Sequence, residues 1–419
     1  GEYTGWYDEG QEEYLTDTAA KEANFHSPIN KKPLVKRTEP CYFFRLSNYQ
    51  ARLLELIQKD AGFVAPDARR QEVLGRLRPP AVLNDIPVSR PVTDDPATQW
   101  GIRVPGDDAN RIYVWIDALF NYLSYVDTPE RRRFWPARVH LIGKDILWFH
   151  AVIWPALLMA LGEPLPRTIF GHGWWISEGQ KMSKSLGNFI DIDRLRAYAA
   201  KFGLDGLRWY LATQGPLSGS DADFSHAKFV ETFNTHLANG IGNCTSRVGN
   251  MIDKYFGGEL PARPASLVFS FPSEAGGLVF DWPAEIASHT GAALDALERC
   301  ELGDALMRGI AIVTRVDGFI NVTQPFKIAK TVETDPTARE RLAGILYCCA
   351  EALRVASLIL SPAMPEKMAR VWATWDCAPA AGVPLAKLAE FAGPHGLKAG
   401  QRITKGEVLF MRADPAEAV

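Results

Sequence analysis

The chain of 419 residues is poor in cysteine, and its six cysteines (Cys41, Cys244, Cys300, Cys348, Cys349 and Cys377) are scattered. No C-x-x-C pair occurs, so neither a zinc knuckle nor a disulfide framework is expected, and a reducing, cytoplasmic setting fits. Charge of one sign is lacking too. The net charge of −3 excludes a polycation that holds nucleic acid by bulk charge, though local basic patches can still do that work. Long apolar runs are also missing. The stretch Ile142 to Leu161 is broken by Lys144, Asp145, His150 and Pro155, so it does not read as a membrane span and no membrane partner is expected. There is no internal repeat of fixed period, and none of the eight histidines stands in a His-x-Gly-His pattern. What remains is an ordinary globular composition, 47% hydrophobic and 23% charged, in a chain long enough for about two or three domains.

The texture changes along the chain. Residues 1–37 are mixed, polar and turn-rich; NYQARLLELIQKD then has a helical period that stops at Gly62. Arg78 to Asp108 is rich in Pro, Asp and Gly and reads as extended loop with short strands. RIYVWI (111–116) reads as a buried strand with DALFNYLSYV as its helix, and RVHLIG (138–143) as a second strand with KDILWFHAVIWPALLMAL as its helix. RTIFGHG (167–173) reads as a third strand. This alternation predicts an α/β fold with a parallel sheet and a site at the strands' carboxyl ends. Beyond about residue 225 long helical periods predict an antiparallel helix bundle, and the last forty residues a tail that packs back. The expected division is 1–108, 109–225, 226–379 and 380–419.

Between Gly179 and Asn188 the chain reads GQKMSKSLGN. Two lysines three apart, separated by a small hydroxyl, are mobile point charges suited to nucleotide phosphates, and flanking glycines let such a loop close. A solvated loop with two exposed lysines has the same composition. Asp145, two residues after Gly143, can accept from vicinal hydroxyls or cap a helix. Trp115, Ala118, Leu119 and Tyr122 recur at spacings that could face one cavity, with His150 on the next helix; the same residues would serve as core. Asn243 and Arg247 are four apart and share a helix face, either exposed to solvent or able to reach one base together.

KMSKS, with YVWIDALFNYL, LIGKDILWFHAVIWPALL and GHGWWISEG in this order, resembles the methionyl-tRNA synthetases of class I. The resemblance covers essentially the whole chain and includes Val88–Arg90, NCTSR at 243–247 and SPAMPEKM at 361–368. It implies the second half of a Rossmann-type catalytic domain with a connective insertion, followed by an all-α anticodon-binding helix bundle. It implies ATP and Mg2+, L-methionine and tRNA(Met) as ligands, RNA rather than DNA. By resemblance Lys181, Met182, Ser183, Lys184 and Ser185 form the loop on the ATP phosphates, and Gly143 and Asp145 hold the ribose. His172, Gly173, Trp174 and Trp175 match the adenine region, and Arg90 an arginine linked to amino-acid activation. Trp115, Ala118, Leu119, Tyr122, His150 and Ile153 match the methionine pocket, with Tyr122 and His150 near the sulfur. Asn243, Arg247 and Phe326 match the anticodon readers.

Three departures stand out. Ile153 and Phe326 occupy positions where the family usually has an aromatic residue and a tryptophan, respectively. The stretch YDEGQEEYLTDTAAKEANFHSPINKKP, where many relatives carry zinc-binding cysteines, has none, which implies the zinc-free version and no structural metal. The family's His-x-Gly-His segment precedes this insertion, and the chain begins GEYTGW. The expectation is therefore a sequence lacking its amino-terminal ATP-binding half and inactive by itself. A methionine–tRNA ligase is the expected function. The alternative is a non-catalytic synthetase paralogue that binds RNA or protein.

Overall fold

A computed structural model describes residues 1–8, 13–15, 17–28, 30–94, 96–177, 179–182, 188–272, 277–404 and 406–416, with Glu13, Tyr14, Thr18, Ala97, Gln180 and Lys181 described by their backbone alone. The β-branched and apolar runs RVHLIG and RTIFGH form the strands Val139–Gly143 and Thr168–His172. They pair in parallel, from Val139 opposite Thr168 to Gly143 opposite His172. The short strand Val64–Ala65 lies parallel on the other side of Thr168–His172. Parallel neighbours need a long crossover, and residues 144–161 supply it as a helix of changing pitch. It runs from a 3-10 turn Lys144–Ile146 through a π segment Phe149–Ile153 into the α-helix Trp154–Leu161. Pro155 offers no N–H and its ring crowds the carbonyl one turn back. The helix widens there, and Trp154 N–H bonds Phe149 O five residues earlier.

RIYVWI is not one strand. The strand is Asp107–Ile112, and Val114, Trp115 and Ile116 already belong to the helix Val114–Val126. A short apolar run fits a buried strand or a buried helix equally well. Here Tyr113 is extended and its carbonyl accepts from Ile116 and Asp117, which starts the helix. The strand itself is not in the parallel sheet; it pairs antiparallel with Ser89–Pro91 and Arg103–Val104.

The chain divides into two compact units, Gly1–His172 and Gly173–Val419. The division falls inside the segment 109–225, and the tail 380–419 belongs to the second unit. In the first unit the sheet and crossover bury Leu53, Ile57, Leu74, Leu119, Ile142, Ala151, Trp154 and Ile169 around one core. Its amino-terminal part is an antiparallel sheet of Glu2–Asp8 with Glu13–Leu15 and Val35–Pro40, over a small cluster of Leu15, Ala20 and Leu34. Among the described residues no group of three His, Cys, Asp or Glu side chains is arranged to hold a metal ion.

In the second unit helices pack around Ala338–Leu360. That helix is long and apolar enough to cross a membrane, but 94% of its apolar window is buried inside the protein. It also carries a buried ion pair. Arg354 donates to both oxygens of Glu351 and to Leu388 O, while Glu351 accepts from the backbone N–H of Ala392 and Leu397. The tail is thereby clamped to the central helix, and Leu388, Leu397, Ile403 and Phe410 complete the core. A hairpin of Val268–Phe271 with Leu278–Asp281, absent from the sequence expectation, covers one side, with Phe269 and Phe280 against Phe319.

Candidate functional site

The helix Val114–Val126 presents Trp115, Ala118, Leu119 and Tyr122 at the i, i+3, i+4, i+7 spacing that makes one stripe. On the crossover, Ile146, His150 and Trp154 repeat every four residues. The two stripes meet. Trp115 stacks on Phe149 with ring centroids 4.2 Å apart and planes at 16°. The Tyr122 hydroxyl lies 2.9 Å from Nε2 of His150, whose Nδ1 lies 3.0 Å from Ile146 O. A carbonyl only accepts, so Nδ1 carries the proton, Nε2 is the acceptor, and Tyr122 donates to it. Leu119 and Ile153 are buried beside this pair, with Tyr122 packed against their core. Ile153 is therefore a buried aliphatic member of this core.

The site is uncharged. Burial pushes the His150 pKa down, against the opposing hydrogen bond to Ile146, and burial pushes the Tyr122 hydroxyl up. Behind them sits His140, which the sequence reading missed. Its ring lies 4.2 Å from that of Tyr122, and burial, with the nearby His150 contributing, lowers its pKa to about 4. Nε2 of His140 and the indole nitrogens of Trp135 and Trp154 are buried without a hydrogen-bond partner. Strand alternation could have found His140, since it shares the buried face of its strand with Ile142. Phe149 and Trp154 were also missed, although Trp154 stands one helical turn from His150.

At the carboxyl ends of the two parallel strands Gly143 and His172 are register partners. A Cβ on Gly143 would fall 2.4 Å from Oδ1 of Asp145, so a side chain there would push that carboxylate away. Asp145 is not the helix cap that its composition allowed: Gly143 occupies that position, and no side chain caps the turn. Arg90 stands on the strand Ser89–Pro91, its guanidinium over the ring of Tyr113 at 4.3 Å. Tyr113 is the residue from which the pocket helix starts.

In the second unit the strand Trp175–Ser177 turns through Gly179 (φ +70°) into Gln180–Lys181, with Ser177 opposite Gln180 and Ile176 opposite Lys181. Nδ2 of Asn188 donates to Ser177 O at 3.3 Å, and Met182 packs against the core. These contacts anchor both ends of the lysine loop. Ser183, Lys184 and Ser185 lie outside the described residues, as does the side chain of Lys181. A Cβ on Gly173 would meet the Ser220 carbonyl oxygen at 2.3 Å, and Trp174 N–H bonds Oδ1 of Asp221 at 2.8 Å. The Trp175 ring packs with Tyr210 and Phe224.

Asn243 opens the helix Asn243–Phe256 and is exposed, while Arg247, one turn on, is half-buried. Cys244 and Val248, next to them on the helix, are buried in the core. Arg247 is paired with Asp317 of the helix Leu302–Thr323 at 2.8 Å, a partner the sequence reading missed. Gln324 in the left-handed region (φ +45°) ends that helix and turns the chain into Pro325–Ile328. Phe326 there is 42% exposed.

The sequence profile of the family described as "tRNA synthetases class I (M)" matches residues 18–249. A methionine–tRNA ligase of Streptomyces coelicolor is 38% identical over the whole chain, which spans 76% of that protein. One of Caldanaerobacter subterraneus is 36% identical over 99% of the chain, which spans 61% of it. The crystal structure of Mycobacterium tuberculosis methionyl-tRNA synthetase bound by methionyl-adenylate superposes with a TM-score of 0.79 at 30% identity, covering 98% of this chain and 77% of that one. The mixed α/β architecture and these likenesses agree: the chain belongs to the methionyl-tRNA synthetase family of class I synthetases.

Proposed function

We propose that the protein to which this chain belongs is a cytoplasmic methionine–tRNA ligase. A carboxylate oxygen of L-methionine bonds to the α-phosphorus of ATP, and the bond to the bridging oxygen breaks to release pyrophosphate. The terminal ribose hydroxyl of tRNA(Met) then attacks the carbonyl of methionyl-adenylate, and AMP leaves. The observation that carries the reading is the Tyr122–His150 pair, neutral and hydrogen-bonded inside an aromatic box. Such a pocket disfavours charged side chains, because nothing in it compensates their desolvation. It favours a flexible, polarizable thioether, which gains from contact with aromatic rings.

In this reading Trp115, Ala118, Leu119, Ile153 and Phe149 enclose the methionine side chain, and Tyr122 with His150 meets the sulfur. Gly143 and Asp145 hold the ATP ribose, and the backbone at His172 to Trp175 contacts adenine. Arg90 assists activation, and Lys181, Ser183 and Lys184 follow the phosphates, with Met182 and Ser185 completing the loop. Mg2+ would arrive on the ATP phosphates, as it commonly does with nucleotide substrates. The pattern YDEGQEEYLTDTAAKEANFHSPINKKP, without cysteine, supports an insertion of the zinc-free kind. The first unit carries a Rossmann-type half fold, and the helices of the second unit act as the anticodon-binding bundle, with Asn243, Arg247 and Phe326 reading bases. No covalent enzyme intermediate is invoked; alignment and charge stabilisation do the chemistry.

The test is amino-acid-dependent ATP–pyrophosphate exchange by the full-length protein over all twenty amino acids. Exchange with methionine alone is expected. Exchange with a different amino acid would remove the pocket assignment and leave the class.

A further inference from the structure

The helix that carries Asn243 and Arg247 meets the helix that leads to Phe326 through one ion pair. Nη1 of Arg247 donates to Oδ1 of Asp317 at 2.8 Å. We infer that Asp317 is a positioning residue for base reading, holding the Arg247 guanidinium by a single nitrogen so that its other donors meet a base edge. This rests on the proposed RNA reading of the second unit.

Three features carry the inference. The contact is one-pronged. Arg247 has five N–H donors in a planar fork, and Nη1 is the nitrogen engaged here, with no other protein partner of the side chain among the described residues. A carboxylate competing with a base would take the fork bidentately, as such pairs commonly do. The carboxylate is also fixed from its own helix, since Nδ2 of Asn321, one turn on, lies 3.4 Å from Oδ2. Finally, both partners are partly exposed, at 32% and 46%, where the pair itself adds little stability. Its value lies in orientation. A free arginine loses much rotamer freedom when it clamps a base, and tethering it beforehand removes part of that loss, which is preorganisation. The charge of Asp317, paired with Arg247, presents no net repulsion to an approaching phosphate backbone.

Aminoacylation of a tRNA(Met) transcript by the full-length protein, alongside ATP–pyrophosphate exchange, tests this. Asp317→Asn is expected to raise the tRNA KM about threefold to tenfold and to leave exchange and the thermal midpoint unchanged. Discrimination against a transcript with an altered anticodon should shrink with it. Asp317→Glu, which keeps the charge, should recover most of the loss. The double variant Arg247→Ala/Asp317→Asn should be no worse than Arg247→Ala. An unchanged or lowered tRNA KM in Asp317→Asn would overturn the inference, because the carboxylate would then be idle or a competitor. Arg247→Ala without any effect on tRNA would instead overturn the RNA reading itself.

Discussion

Tyr122→Phe removes one hydroxyl and leaves the ring, and that makes it a clean probe of the pocket. The hydroxyl is 2.9 Å from Nε2 of His150, and the Ile146 carbonyl fixes the tautomer from the other side at 3.0 Å. His150 is only 2% exposed, so solvent does not take over the lost donor. A buried acceptor left unpaired costs about 1–3 kcal/mol. If that cost falls on the methionine-bound state, the KM for methionine rises about fivefold to a hundredfold. The turnover number should hardly move, because bond making occurs at the carboxylate and phosphate, away from this hydroxyl; a raised KM with unchanged kcat is the mark of lost uniform binding. Norleucine, which replaces the sulfur by a methylene, separates the roles of Tyr122. A tyrosine that meets the sulfur loses more with methionine than with norleucine, so the selectivity ratio falls. ATP–pyrophosphate exchange by the full-length protein, with each amino acid titrated at saturating ATP, gives both numbers. Equal rises for the two substrates would reduce Tyr122 to a packing element, and no rise at all would refute the pocket.

Four further perturbations have definite signs. In the unfolded chain His140 takes up a proton near pH 6.5, and in the folded protein only near pH 4. Between those values the unfolded state binds more protons, so the stability tied to His140, up to about 3 kcal/mol, is full above pH 6.5 and lost as the pH falls towards 4. Urea midpoints at pH 7 and 4.5 should therefore differ more for the wild type than for His140→Phe. Two glycine-to-alanine changes should part company. In Gly143→Ala the new methyl meets a movable carboxylate oxygen at 2.4 Å, so the KM for ATP rises with little loss of thermal stability. In Gly173→Ala it meets the Ser220 backbone at 2.3 Å, and overpacking against rigid backbone lowers stability by about 1–3 kcal/mol. Arg354→Met strands the fully buried Glu351 without its ion-pair partner. A loss of about 3–5 kcal/mol is expected in denaturant unfolding.

The parts of the fold visible in the sequence are those whose cause is local. RVHLIG and RTIFGH carry enough β-branched and apolar residues, with glycine near each end, to mark their own boundaries. In GQKMSKSLGN a glycine-flanked loop was legible, with Gly179 at φ +70°, a conformation that favours glycine, but the pairing of Gln180–Lys181 with Trp175–Ser177 was not. RIYVWI misled because Val114, Trp115 and Ile116 are equally at home in a buried strand or a buried helix. The decision lay in the backbone of Tyr113 and in the antiparallel partners of Asp107–Ile112, both set by the rest of the unit.

The same division governs the candidate site. Candidates that sequence spacing could propose lie on one element: the Trp115 to Tyr122 stripe, and Asn243 with Arg247. Residues that act by closing on another element were not found that way. His140 reaches Tyr122 from a neighbouring strand, and Asp317 reaches Arg247 across a sequence separation of 70. Neither contact leaves a periodic trace, because a histidine between two apolar residues or an aspartate on a half-exposed helix face is ordinary in composition. Yet these nonlocal partners set the properties on which the chemistry depends. The neutrality of the pocket comes from burial supplied by the crossover helix, and the orientation of Arg247 from the helix opposite. One line of sequence therefore names candidates by their spacing. The groups that fix their charge and direction become visible only when the chain is folded.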